Sequence, residues 1–400
     1  MVAVDGSVHP NFAEVAQAFR SQLAKTSGGA AVCVVHRGET VVDLWGGRRT
    51  EDEPWERDTL SMSFSTTKGV ASTALHILVD RGLVDLDAPV AQYWPGFEQA
   101  GKGGVLVRHV LTHSAGMHRI RPIIDHADWM LDWDRMVDVL AAAPPAYPAG
   151  TANGYHALTY GWLVGEIIRQ VDGRPIEQFV ADEIAGPLDL DGLYLGCPPP
   201  ERHRIAPLGG TSASRLTAGP PLARRLQKRM GARMGEAITV SRAPFDPRRA
   251  VSALVPRGVD EVLRSEAVLD AVIPAANGHF TARSLAGMYS VLAGRGTRGG
   301  VSLLSPEAVD QMGVVQSMRR DLVLGFRMRW RLGYHLVSTT RGVLDPAFGH
   351  FGYGGSGAWC DPSRDLAVGF TCSRGSGTPI GDIRILQLGS AVMRSVSQRR

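Results

Sequence analysis

Strand patterns occur at both ends of this 400-residue chain, and a long helical stretch separates them. Near the N-terminus, two apolar runs, Ala31 to His36 and Val41 to Trp45, have the pattern of a β-hairpin. Late in the chain, Gly357 to Cys360 and Leu366 to Cys372 flank a turn that contains proline. Because a strand must bury at least one face against another element, the sequence predicts a single sheet assembled from both termini.

Apolar and basic residues alternate at one more place, which predicts another strand. The apolar positions are Phe326, Met328, Trp330 and Leu332, and the basic positions between them are Arg327, Arg329 and Arg331. Helices are predicted after Pro10-Asn11 and after Asp382, an acidic residue placed to cap the last helix.

Together these patterns predict an α/β (α+β) fold with two units. Residues 1–85 and 272–400 are expected to form an antiparallel sheet domain flanked by helices. Residues 86–271, where helical segments are broken by proline and glycine, are expected to form a mostly helical inserted domain. A catalytic cleft is expected where the insertion meets the sheet.

Composition excludes some classes of partner. With 44% hydrophobic residues, the chain can bury a large core, as a globular enzyme does. The 43 basic and 39 acidic residues are spread along the chain and give a net charge of only +4, which argues against a nucleic-acid partner. One dense basic cluster is interpreted as a solvated helix or flap rather than a contact with an anionic surface: Arg224, Arg225, Lys228, Arg229 and Arg233.

The four cysteines are widely scattered, at Cys33, Cys197, Cys360 and Cys372. They lack the paired short spacings of a zinc site and the density of a disulfide scaffold, so we expect ordinary buried thiols and no metal. The first 25 residues contain no apolar signal-peptide core, and no stretch is long enough to span a membrane. A cytoplasmic location is therefore expected, with peripheral membrane attachment left open.

The segment Ser65-Thr66-Thr67-Lys68 stands where an apolar-periodic helix begins. Residues three apart share a helix face, so the lysine is expected beside the serine hydroxyl. A serine is a poor nucleophile until a base takes its proton, and a lysine can do so only when uncharged, with a pKa well below about 10.4. Burial and a helix N-terminus both lower that pKa. The alternative is a surface serine and lysine at a helix start, and only context distinguishes the two interpretations.

Further segments follow in order along the chain, and they supply that context. They are Gly82 to Val90, Val107 to Met117, Tyr155 to Gly161, Pro274 to His279 and Phe348 to Ser356. With Ser65-Thr66-Thr67-Lys68 they resemble the serine β-lactamase and penicillin-binding-protein superfamily, specifically its class C β-lactamase-like esterases, the family VIII carboxylesterases. The resemblance covers roughly residues 10 to 395.

The resemblance implies a role for each matching residue. Ser65 would attack the substrate, Lys68 would serve as the base or assist it, and Tyr155 would relay the proton. A tyrosine with cationic neighbours can ionise below its usual pKa of about 10, which predicts a lowered pKa for Tyr155. The backbone N–H groups of Ser65 and Tyr353 would stabilise the oxyanion.

The resemblance also implies substrate contacts at the glycine-rich segment. His350 occupies the lysine position of the family's Lys-Thr-Gly motif, so substrate binding is expected of it rather than proton abstraction. Gly352 is expected to let the backbone approach the substrate closely. His113 and Ser114 are interpreted as support for the fold near the cleft. The chain has no Gly-x-Ser-x-Gly motif, which argues against an α/β-hydrolase fold.

Two departures from the lactamase pattern predict the substrate class. His350 replaces a fixed cation and Ala157 replaces the asparagine of Tyr-x-Asn, so the anchors for a carboxylate and an amide are both missing. The sequence therefore predicts a serine carboxylesterase that hydrolyses short-chain acyl esters through an acyl-Ser65 intermediate, without a metal or organic cofactor. The alternatives are a β-lactamase, a D-Ala-D-Ala peptidase, an acyltransferase or an amide hydrolase on the same fold. A catalytically silent binding module is opposed by the intact Ser65, Lys68 and Tyr155.

Overall fold

The strands come from both ends of the chain, in a computed structural model that describes residues 2–209, 246–373 and 381–399. They are β1 (Val4–Val8), β2 (Ala30–His36), β3 (Glu39–Gly46), β4 (Leu60–Met62), β5 (Leu193–Leu195), β6 (Ile205–Ala206), β7 (Gly278–Phe280), β8 (Thr297–Arg298), β9 (Val301–Ser302), β10 (His335–Thr339), β11 (Gly342–Phe351), β12 (Gly357–Asp361) and β13 (Leu366–Cys372). The main sheet is antiparallel with the order β1-β3-β2-β13-β12-β11-β10. The predicted joining of the two termini is confirmed at the β2–β13 pair, where Val34 lies opposite Val368.

Helices cover both faces of this sheet and also form the helical part of the chain. They are α1 (Ala13–Leu23), α2 (Thr67–Asp80), α3 (Val90–Tyr93), α4 (Val107–Leu111), α5 (Trp133–Ala142), α6 (Thr159–Asp172), α7 (Ile176–Val180), α8 (Pro247–Leu254), α9 (Val259–Val262), α10 (Ala267–Asp270), α11 (Ala282–Ala293), α12 (Pro306–Gly313) and α13 (Ile383–Gln398). The predicted cap of the last helix is present, because the Asp382 side chain accepts a hydrogen bond from the Arg384 N–H.

The central strands are buried on both faces, which explains their continuous apolar sequences. Alternate side chains of a strand point to opposite faces. In β2, Val32 and Val34 pack with α1 and α13, whereas Cys33 and Val35 belong to the second core, which contains Leu285 of α11. The sheet thus lies between two apolar cores, and the larger one continues into the helical part of the chain.

A second, four-stranded sheet links the central part of the chain to the helix that carries Ser65. Its order is β5-β7-β4-β6, with β4 and β6 parallel and the other pairs antiparallel. β5 and β6 lie within residues 86–271, so the described part of that stretch is mostly helical but includes strands. β4 leads directly into the turn before α2, and β7 follows the loop at residues 273–277. This sheet therefore brings two distant loops beside one helix start.

The strand predicted around residues 326–332 is wrong. Only isolated bridges form there, between Arg320 and Arg327 and between Ser317 and Trp330. The φ angle of Arg329 is +50°, which interrupts an extended strand. Arg331 is also buried rather than solvated, and its Nε donates to the carbonyl of Gly313 at 2.7 Å. The alternation of residue types therefore reflected irregular packing and not a two-faced strand.

Three other expectations concern features outside the site. The four cysteines are buried and form no disulfide, as expected of ordinary thiols. Among the described helices, none combines the length and the apolar character needed to cross a membrane. The basic cluster from Arg224 to Arg233 lies outside the described residues, so its interpretation as a solvated helix or flap stays a prediction.

Candidate active site

Ser65 lies in a tight turn, Phe64–Thr66, immediately before α2. The preceding residue, Phe64, has a φ of +47°, a strained angle for a non-glycine residue. The surrounding structure holds this turn in place: the N–H of Ser63 donates to the carbonyl of Gly278 at 2.8 Å, and the Ser356 hydroxyl donates to the carbonyl of Ser63 at 2.8 Å. These contacts therefore hold the strained turn, and with it the start of α2 and the direction of the Ser65 side chain.

Lys68 lies one helical turn after Ser65 and is fully buried. Its Nζ is 3.0 Å from Ser65 Oγ, 2.6 Å from the carbonyl oxygen of Ala157 and 2.9 Å from that of Ala275. Burial holds the pKa of Lys68 well below its usual value. A neutral amine has two N–H donors, which match the two carbonyls, and one lone pair, which faces the serine hydroxyl. The geometry suits a base poised to take the Ser65 proton.

The two carbonyls are positioned by long-range structure. Ala157 precedes α6, which packs against α2. Ala275 belongs to a loop that Asn277 holds together: its Oδ1 accepts from the N–H of Ile273 at 2.8 Å, and its Nδ2 donates to the carbonyl of Ala271 at 2.7 Å. The loop at residues 274–279, singled out in the sequence, thus supplies an acceptor to Lys68 through its backbone.

Tyr155 is the third member of the cluster and is fully buried. Lys68 Nζ lies 5.0 Å from the centre of its ring, and its hydroxyl interacts with the side chain of Ser65. Burial raises the pKa of Tyr155 above its usual value, and the interaction with Ser65 only partly opposes this shift. The predicted lowering of this pKa is therefore wrong, because burial desolvates the phenol. At neutral pH Tyr155 is a proton donor.

Aromatic side chains surround the Tyr155 ring. Trp330 stacks on it with a centroid distance of 5.7 Å and an interplanar angle of 14°, and His113 meets it edge to face at 5.0 Å. His113 Nδ1 accepts from the N–H of His156 at 3.1 Å, and Ser114 Oγ is 2.9 Å from Thr112 Oγ1. His113 and Ser114 thus lie in the packing around the site, where a supporting role was predicted.

His350 packs in the core beside Tyr155, and its contact with substrate stays a prediction. It is fully buried, its ring stacks 6.3 Å from that of Tyr155, and it meets the ring of His335 edge to face at 4.6 Å. Burial lowers its pKa well below the usual value, so it is uncharged at neutral pH. His350 lies behind Tyr155 and does not line the pocket, because β10 and β11 hold its ring in the core.

Gly352 does not line the pocket either, and its lack of a side chain leaves room for a neighbouring backbone segment. A Cβ atom at this position would clash with the carbonyl of Ser63 and with Ser356 Oγ. Glycine therefore lets the end of β11 pass directly beneath the turn that carries Ser65. The close approach of Gly352 is toward this turn, and its contact with substrate stays a prediction.

Two backbone N–H groups next to Ser65 are left without an acceptor. Neither the N–H of Ser65 nor that of Tyr353 donates a hydrogen bond to any described residue. Unpaired N–H groups beside a nucleophile can stabilise an oxyanion. They are the same two N–H groups that the resemblance implied for binding the oxyanion.

A cavity of about 240 Å³ opens over Ser65 and is lined mostly by apolar side chains. Its lining consists of Phe64, Ser65, Ala157, Leu158, Leu208, Leu254, Val255, Val259, Asp260, Leu263, Arg264, Ala276 and Tyr353. Four of its six leucine and valine side chains come from the 254–263 segment, which no motif singled out. Among the described residues, no group of three or more His, Cys, Asp or Glu side chains could hold a metal ion.

Comparison with known proteins identifies the family. The β-lactamase family model matches residues 15–392. The chain belongs to the β-lactamase family. It is 37% identical to the protein named Esterase/beta-lactamase LipL of Mycobacterium tuberculosis, over 93% of this chain and 83% of the relative.

Two crystal structures resemble this β-lactamase-family chain along its whole length. A family VIII carboxylesterase superposes with a TM-score of 0.85 and 33% identity, covering 98% of this chain and 100% of the other. A penicillin-binding-protein homolog from Caulobacter crescentus superposes with a TM-score of 0.83 and 34% identity, with the same coverage. The fold and the serine-hydrolase class expected from the sequence are therefore confirmed.

Sequence reasoning missed several residues of this β-lactamase-family site. The strain at Phe64 left no signal, because any residue type can occupy such a position when tertiary contacts require it. The sequence pattern predicts a strand at Trp330 and only helical structure at Val259 and Leu263, and it gives none of the three a place in the site. These residues reach the site through long-range packing, which periodicity does not report.

The state of Lys68 predicts the effect of replacing it with arginine. Lys68→Arg keeps a long basic side chain but fixes a charge that cannot act as a base, so kcat/KM for an ester should fall at least about a thousandfold. Lys102 offers a matched control, since its Nζ donates to the carbonyls of Gln99, Ala141 and Ala143. Lys102→Arg should lower thermal stability while leaving kcat/KM within about threefold. Comparable activity losses in the two variants would contradict the assignment of Lys68.

Proposed function

We propose that this protein is a serine carboxylesterase that hydrolyses short-chain acyl esters through an acyl-Ser65 intermediate. The observation that carries the proposal is the 3.0 Å contact between Ser65 Oγ and a buried Lys68 amine that two carbonyls hold in place. The names of the relatives, which include an esterase/β-lactamase and a family VIII carboxylesterase, support the same reaction class.

Acylation follows from the positions of three side chains. Lys68 takes the proton of Ser65 as Oγ attacks the ester carbonyl, and the N–H groups of Ser65 and Tyr353 bind the oxygen that becomes negative. When the tetrahedral intermediate collapses, the ester C–O bond breaks and Tyr155 gives its proton to the departing alcohol. The proton on Lys68 then restores Tyr155, so Lys68 is again neutral.

Deacylation uses the same groups in the reverse sense. A water molecule enters where the alcohol left, gives a proton to the Lys68–Tyr155 pair and attacks the acyl carbon. The bond to Ser65 Oγ breaks, and Ser65 takes the proton back. No step requires a metal ion or an organic cofactor.

The cavity favours small, uncharged substrates. Its volume of about 240 Å³ is below the range of roughly 300–1,000 Å³ typical of pockets for drug-sized ligands. Leu254, Val259 and Leu263 offer an apolar surface to an acyl or alkyl chain, whereas the exposed Asp260 and Arg264 bring charges of opposite sign to the pocket. A carboxylate on the substrate would find no lysine at position 350, and Asp260 offsets the attraction of Arg264, whose Nη1 donates to the carbonyl of Leu208 at 2.9 Å.

A β-lactamase is the second candidate, favoured by the name of the Mycobacterium tuberculosis relative and by the intact Ser65, Lys68 and Tyr155. Acylation of a lactam would use the same nucleophile and base. The missing lysine at position 350 and the charge of Asp260, which offsets that of Arg264, make this activity the weaker one.

The nucleophile is tested by Ser65→Ala. This change should lower ester turnover at least about a thousandfold and abolish labelling by a fluorophosphonate probe, because no other serine among the described residues hydrogen-bonds to Lys68 Nζ. Circular dichroism should show an unchanged fold. Ser63→Ala is the matched control, since the Ser63 hydroxyl donates only to the carbonyl of Ser61 at 2.9 Å. A folded Ser65→Ala protein that keeps most of its activity would refute the proposal.

Substrate class is tested by comparing catalytic efficiencies. We expect kcat/KM for p-nitrophenyl butyrate to exceed that for a chromogenic cephalosporin, because the carboxylated lactam finds no lysine at position 350 and meets the charge of Asp260 beside that of Arg264. Asp260→Asn should narrow the difference by roughly two- to fivefold, the scale of one exposed charge. A cephalosporin preferred by an order of magnitude would replace the esterase assignment with the β-lactamase alternative.

A further inference from the structure

A buried carboxylate, Asp321, lies directly behind Tyr155 and belongs to none of the sequence motifs. Its Oδ1 accepts hydrogen bonds from the backbone N–H groups of Tyr155 at 3.2 Å, Val323 at 2.8 Å and Leu324 at 2.9 Å. Its Oδ2 accepts from the indole Nε1 of Trp330 at 3.2 Å. One side chain thus ties the backbone of Tyr155 to two other parts of the chain.

The indole that Asp321 holds is the one that stacks on the Tyr155 ring. The two rings lie 5.7 Å apart and within 14° of parallel. A second link supports the same arrangement, because the N–H of Leu322 donates to the carbonyl of Asn153 at 2.8 Å. Asp321 therefore fixes Tyr155 at its backbone directly and at its ring through Trp330.

The charge of Asp321 acts on Tyr155, as its hydrogen bonds do. A carboxylate with no solvent exposure and four N–H donors is a large local charge, and it helps to raise the pKa of Tyr155. Burial raises the pKa of Asp321 itself to about 6, so the carboxylate is ionised at neutral pH although burial disfavours the charge. Burying a charge is unfavourable for the stability of the folded protein, so the requirements of folding alone do not explain a carboxylate at this position.

We propose that Asp321 is a positioning residue for Tyr155, which aims the phenol at the leaving alcohol by holding both the Tyr155 backbone and the Trp330 ring. The proposal rests on the proposed function, in which Tyr155 protonates that alcohol. Asp321 does not line the pocket and does not touch the substrate.

Asp321→Asn tests the role with little change in volume. The amide oxygen can still accept from the three backbone N–H groups, but the amide NH2 faces the Trp330 indole, so two donors oppose each other. For ethyl butyrate, whose alkoxide needs a proton to leave, kcat should fall roughly 10- to 100-fold, and KM should stay within about twofold. For p-nitrophenyl butyrate, whose leaving group is a stable anion, kcat/KM should fall less than about threefold.

Two comparisons separate positioning from general destabilisation. Glu166→Gln makes the same chemical change at another fully buried carboxylate that accepts from an indole, Trp133 Nε1, at 3.0 Å. It should cause no loss that depends on the leaving group. Tyr155→Phe should show the same leaving-group dependence as Asp321→Asn, and the double variant should lose little more than Tyr155→Phe alone.

Equal losses for the two esters in Asp321→Asn, or full additivity with Tyr155→Phe, would overturn the proposal. If Asp321→Asn does not fold, Trp330→Phe removes the indole donor and keeps an aromatic ring, and it should show the same leaving-group pattern. Activity retained by Ser65→Ala, or a Tyr155→Phe variant without leaving-group dependence, would instead refute the proposed function. The failures of the two proposals are therefore distinguishable.

Discussion

The burial of one lysine amine among neutral acceptors is the constraint on which this site depends. A charged Lys68 would lie with no solvent and, among the described residues, no paired carboxylate, which is unfavourable. A neutral amine instead donates to the carbonyls of Ala157 and Ala275 and offers its lone pair to the Ser65 hydroxyl. These three partners come from separate parts of the chain, so the base exists only when the sheet, α2, α6 and the 273–277 loop are assembled together.

The same assembly sets the direction of proton transfer. Desolvation lowers the pKa of Lys68 and raises that of Tyr155, which favours an amine that can accept a proton and a phenol that can donate one. Two neighbouring groups whose pKa values are displaced in opposite directions suit the two proton transfers of acylation. Neutral histidines at positions 113 and 350 pack around the Tyr155 ring and add no charge that would reverse these shifts.

Local sequence patterns predicted the parts of the structure that depend on local geometry. The β2–β3 hairpin, the β12–β13 pair and the start of α2 follow from apolar periodicity and turn residues, and the contact between Ser65 and Lys68 follows from their spacing on a helix. The predictions that were wrong concern features set by long-range packing. Residues 326–332 look like a strand but pack irregularly, and the pKa of Tyr155 depends on a degree of burial that no motif encodes.

The most direct test of the account is the protonation state of Lys68 in the folded protein. The chain contains only four lysines, at positions 25, 68, 102 and 228, so NMR of isotope-labelled lysine side chains can follow each one across a pH titration. We predict that Lys68 titrates well below the usual lysine range and that its amine is neutral at the pH where the enzyme is active. A Lys68 signal that titrates near 10.5, with the amine charged at neutral pH, would contradict it.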